Sequence, residues 1–110
     1  MPRVKAVLDT NIIVSALLKD SGQEALVFNL AASGMFIPVV SDPLLDEYGE
    51  VLGRPGFGFG TRRVQGALQD VRRHALHVGA PPVLAGAAHD PDDDMVLACA
   101  LAGGADYLVT

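Results

Sequence analysis

The sequence predicts an α/β domain in which a parallel β-sheet is flanked by helices on both faces. Three observations carry that expectation. Short apolar runs alternate along the chain with longer stretches of helical periodicity. The core-forming residues are almost all Val, Leu, Ile and Ala, with aromatics at 5% and no tryptophan, which suits helices packed on a buried parallel sheet. The apolar half of these 110 residues is enough for one core, and no internal repeat or linker divides it.

Taken in order, Val4 to Leu8 reads as a short buried strand with Asp9 at its carboxyl end. Ile12 to Leu18 begins a helix. Ser21-Gly22 interrupts it, and Glu24 to Ala32 is helical again, stopped by Gly34. Met35 to Val40 is a second strand. Pro38 has no N–H for a ladder, so a bulge or a sheet edge is expected there. Asp42 is the expected N-cap of the next helix, with Pro43 at its first position, and the helix runs to about Leu52.

Gly53 to Gly60 is glycine-rich but lacks Gly-Lys-Ser/Thr and follows a helix rather than a strand, so it reads as a flexible loop rather than a phosphate loop. Thr61 to Leu76 forms a third helix with Val64, Ala67, Leu68, Val71 and Ala75 on one face. His77-Val78 begins a weak strand, ended by Pro81-Pro82. Asp93 to Leu101 is a fourth helix, closed by Gly103-Gly104, with Asp90 and Asp92 ahead of it. Asp106 to Thr110 is the last strand.

Charge and cysteine content narrow the function classes. A net charge of −5 argues against a protein that coats nucleic acid through bulk charge, though not against an enzyme that meets phosphate through bound metal. Cys99 is the single cysteine, so no internal disulfide forms, and its apolar helical setting marks it as a small core residue. No signal peptide and no membrane-length apolar stretch is visible, and a cytoplasmic location is expected.

Three carboxylates stand out by geometry. In parallel α/β sheets, sites form at the carboxyl ends of strands, where Asp9 lies. With 100° of rotation per residue, Glu47 shares the apolar face of Leu44, Tyr48 and Val51, whereas Asp46 points elsewhere. Asp93 is three residues before Val96, four before Leu97 and seven before Ala100, on a core stripe that includes Leu101. Asp94 lies about 100° away. Acids in a first helical turn also favour the helix dipole, which accounts for Asp90, Asp92 and Asp94 without any function. Like charges gathered in one pocket repel unless a cation neutralises them, and hard oxygen ligands select Mg²⁺ or Mn²⁺.

The stretches VLDTNIIVSALL, SDPLLDEYGEVLGRP and DPDDDMVLACALAGGADYLVT together resemble the PIN domain, in the branch that serves as toxins of toxin–antitoxin systems. The resemblance covers nearly the whole chain. It implies a three-layer α/β/α fold and a metal-dependent ribonuclease, with Asp9, Glu47 and Asp93 as the catalytic, metal-holding acids. It implies that Asn11 helps arrange the pocket and that Thr110 is the small hydroxyl residue at the end of the fourth strand. It also implies RNA as substrate and an antitoxin protein as partner. In the family, Val-Thr is usually followed by Gly-Asp, a further acid, a helix and a closing strand. The expectation is therefore a single PIN-like domain over residues 1–110 without that last helix and strand, and without the fourth acid.

Rival readings remain open at this point. The chain could be an inactive PIN-like module that docks an antitoxin or another subunit. Asp9 as a phosphoacceptor is disfavoured, because the second aspartate two residues on that phosphatases use is missing. Arg72 and Arg73, with Arg62 and Arg63, form either a solvated helix face or a rim that grips the RNA backbone. An unpaired edge beside the last strand would favour a homodimer or larger species.

Overall fold

The computed structural model describes residues 3–79 and 91–110, except for the side chains of residues 91–95. Strand β1 (Lys5–Leu8) is followed by helices α1 (Thr10–Leu18) and α2 (Gln23–Ala32), then by β2 (Ile37–Val40) and α3 (Asp42–Leu52). A 3₁₀ turn at Pro55–Phe57 leads to α4 (Thr61–Arg73), β3 (Leu76–His77), α5 (Pro91–Gly103) and β4 (Tyr107–Val109). The four strands form one parallel sheet in the order β3-β2-β1-β4, within a three-layer α/β/α arrangement.

That order positions everything that follows. From β1 the chain moves outward to β2 and β3, then crosses back to lay β4 on the other side of β1. The carboxyl ends of β1 and β4 therefore flank the point where the direction of winding reverses, the place where open α/β sheets bind ligands.

Beneath this point lies a core of Val7, Ile13, Val39, Val40, Leu44, Tyr48, Leu52, Val71 and Cys99, each at most 1% exposed. Cys99 behaves as the core residue expected of it: its thiol donates to the Val39 carbonyl at 3.7 Å, and burial pushes its pKa up.

Several expectations about the elements are corrected. Ser41, not Asp42, caps α3: its hydroxyl accepts from the Leu44 N–H at 3.3 Å, and Asp42 is the first helical residue. β2 is an inner strand, not an edge. It tolerates Pro38 because of backbone alternation. The Ile37 N–H points to Val4 of β1, so the ring nitrogen of Pro38 turns toward β3, whose pairing begins only at Val39.

Helix α1 starts two residues earlier than expected, at Thr10, and α4 ends three residues earlier, at Arg73. The early stop leaves room for β3 at Leu76, where Arg72 and Arg73 already complement the negative end of the helix dipole. Helix α5 begins at Pro91, so Asp92 lies inside it. Its buried stripe runs through Val96, Cys99 and Gly103, while Leu101 is 64% exposed rather than in the core. The glycine-rich segment is more than a loop: Phe57 and Phe59 stack with ring centroids 5.5 Å apart, and the Arg63 guanidinium lies 5.0 Å over Phe59.

Candidate functional site

Asp9 sits at the junction of β1 and α1. It occupies the N-cap position (φ −64°, ψ 148°), yet its side chain makes no capping bond to the helix, so capping does not explain the carboxylate. Its backbone is anchored on both sides of the junction. The Asp9 N–H donates to Val109 of β4 at 2.9 Å, and its carbonyl accepts from Ile12 of α1 at 3.0 Å. The residue as a whole is half-buried.

Glu47 arrives from α3. The Thr10 hydroxyl, on a residue 6% exposed, donates to Glu47 Oε2 at 3.4 Å. The neighbouring Tyr48 reaches β1, its hydroxyl donating to the Leu8 carbonyl at 2.5 Å. These two contacts bring α3 against the residues on either side of Asp9, so both acids lie at the carboxyl end of β1. Electrostatics agrees. Burial pushes the Tyr48 phenol well above its ordinary pKa, and the charges of Cys99 and Asp9 push it further the same way. Asp9 is thus close enough to be felt at the Tyr48 hydroxyl.

The other expected residues divide by position. Asn11 is exposed on the first turn of α1, and Thr110 follows β4 directly, so both stand at the same end of the sheet as Asp9. The side chain of Asp93 lies outside the described residues.

Arg72 and Arg73 are not brought to this end. Arg73 lines a groove with Arg3, Ile37, His74 and Leu76, residues that precede or begin β1, β2 and β3, which places it at the amino end of the sheet. Arg73 also pairs with Asp70 at 3.4 Å. Of the other cations, Arg54 pairs with Glu50 at 3.0 Å, and Arg63 donates to the Leu17 carbonyl.

Reading the sequence alone missed Thr10 and Tyr48. The signal for Thr10 was a hydroxyl inside the first apolar run. For Tyr48 there was none beyond its place next to Glu47, because a tyrosine on an apolar face reads as packing.

The described donors are carboxylates and a hydroxyl, the oxygen set of a hard divalent cation. Among the described residues, no three His, Cys, Asp or Glu side chains are arranged to hold an ion.

The fold is that of a PIN-like α/β/α protein, with Asp9 and Glu47 near the point where the winding of its parallel sheet reverses. A sequence model of the PIN domain matches residues 5–110, and the chain belongs to the PIN domain family. PIN domains are typically nucleases that generally use divalent metals, which points to a hydrolase of that broad kind. No curated protein and no solved structure matches the chain. Among the described residues, no helix is long and apolar enough to cross a membrane.

Proposed function

We propose that this PIN domain is a Mg²⁺- or Mn²⁺-dependent endoribonuclease acting as the toxin of a toxin–antitoxin pair. The observation that carries the reading is the meeting of Asp9 and Glu47 at the carboxyl end of β1, through Thr10 and Tyr48. Asp9, Glu47 and Asp93 would hold the ion. When bound, a divalent cation neutralises phosphate charge and lowers the pKa of water. The chain's own residues do the rest: Thr10 orients Glu47, the β1–β4 pairing sets Asp9, and Asn11 and Thr110 line the rim where the RNA backbone would lie.

The ion supplies the first test. Mn²⁺ should raise the melting temperature, because a ligand at a hundred times its Kd stabilises the native state by about 2.7 kcal/mol. The shift should vanish in Asp93→Asn and persist in Asp46→Asn, whose side chain is exposed. Equal shifts in wild type and both variants would overturn this set of ligands. A folded chain that binds no ion and cleaves no RNA would instead be a PIN-like module that docks an antitoxin.

We also read β4 as the contact for a second copy of the chain. It is the outer strand on its side of the described sheet, and it exposes Tyr107 and Leu108. Light scattering should show a dimer, and a monomer at high concentration would contradict this.

A further inference from the structure

The peptide unit between Leu8 and Asp9 is gripped from both edges. Backbone alternation in β1 turns Val4, Ala6 and Leu8 toward β2 and turns Lys5, Val7 and Asp9 toward β4, as the bonds from Ile37 to Val4 and from Asp106 to Lys5 show. The register with β2 pairs Lys5 with Ile37 and Ala6 with Pro38. The Leu8 carbonyl lies beyond these pairs, on the β2 side, and the Tyr48 hydroxyl donates to it. On the opposite edge of the same planar unit, the Asp9 N–H donates to Val109. A planar peptide held at its C=O and its N–H cannot rock about the chain axis. Its orientation sets φ of Asp9, and hence the direction in which the carboxylate leaves the backbone.

We propose that Tyr48 is a positioning residue that aims the Asp9 carboxylate into register with Glu47. The proposal rests on the reading of Asp9 and Glu47 as the acids of the site. Tyr48 suits the role because its ring is locked in the core at 1% exposure and because it adjoins Glu47 on one rigid helix. One side chain thus ties the helix that carries one acid to the peptide that carries the other.

Tyr48→Phe keeps the ring and removes the bond, so it separates aiming from packing. In the metal-free protein, amide exchange at Asp9 and Thr10 should quicken about tenfold, with Val39 and Val40 unchanged. Mn²⁺ affinity by calorimetry should fall about tenfold, the scale for losing a partner that orients a ligand. RNA cleavage should lose kcat with KM unchanged.

Unaltered exchange at Asp9 in the folded variant would overturn the proposal. So would wild-type Mn²⁺ affinity in Tyr48→Phe when Asp9→Asn has lost it. If wild type binds no Mn²⁺ but Tyr48→Phe still loosens Asp9, the metal reading of the site falls and the clamp stands. A check on the wild-type chain needs no variant: the Tyr48 hydroxyl proton should be resolved by NMR and slow to exchange, and a rapidly exchanging proton would overturn the clamp.

Discussion

Asp9→Asn should lower RNA cleavage by more than about a hundredfold and leave the fold intact. Losing a residue that only orients a metal ligand typically costs 10–100-fold in affinity or activity, so losing a ligand should exceed that range. Two backbone bonds that anchor the junction support a surviving fold. The Asp9 N–H bond to Val109 and the Ile12 N–H bond to the Asp9 carbonyl are unchanged by the substitution, and the carboxylate makes no capping bond to α1. A cleavage assay with Mn²⁺, paired with a melting curve, checks both halves. A folded Asp9→Asn that cleaves at the wild-type rate would remove Asp9 from the site.

Gly103→Ala should destabilise the domain, although alanine is the better helix former. The last turn of α5 rests directly on β2. A Cβ at Gly103 would collide with Val39 Cγ1 and approach Val78 Cγ1 to 3.2 Å. Val39 is fully buried in an inner strand, so neither side yields cheaply. Overpacking of this kind costs about 1–3 kcal/mol, more than the gain in helix propensity of up to about 1 kcal/mol. At 4–8 °C per kcal/mol for a domain of this size, the melting temperature should drop by roughly 5–15 °C.

Two companions make the cause visible. Gly66→Ala, in α4 with open space around its Cβ, should raise stability by about 0.5–1 kcal/mol. Val39→Ala combined with Gly103→Ala should be less destabilised than the sum of the single variants. Strict additivity would show that the two side chains do not collide.

The parts of this molecule that depend on periodicity could be read before the structure. Asp9 could be placed at the carboxyl end of β1 because a charge that ends an apolar run marks where the strand stops. Glu47 could be placed on the same side of α3 as its apolar stripe because the helix phase of Leu44, Tyr48 and Val51 is unambiguous: Leu44 and Tyr48 are buried and Val51 is half-buried. Phase failed in α5 for a physical reason. In VLACALAGG nearly every residue is small and apolar, so several stripes fit equally well, and the one containing Leu101 was mistaken for the one containing Cys99 and Gly103.

For Arg72 and Arg73 the sequence left open a solvated helix face or a rim on the RNA backbone, and topology bears on that choice. In a parallel sheet, a helix that leads into a strand ends at the amino pole, so the end of α4, which precedes β3, lies away from Asp9, as the order of elements already implied. Tyr48 shows a different limit. Its ring obeys the apolar pattern while its hydroxyl acts at a residue 40 positions away.

The pairing of β1 with β4 also has a consequence in time. Lys5 and Asp106, joined across these strands, are 101 residues apart. A ribosome adding about 5–20 residues per second needs roughly 5–20 s to make that interval. Throughout it, the strand that ends in Asp9 exists without the neighbour that holds the Asp9 N–H. Closing so long a loop is also among the slower steps of folding. A fragment ending before Tyr107 can dock β2 and α3 against β1, but only one edge of the Leu8–Asp9 peptide is then held. The Leu8–Asp9 peptide is held at both edges only when Val109 arrives, so the end of β1 that carries Asp9 is fixed long after it is made.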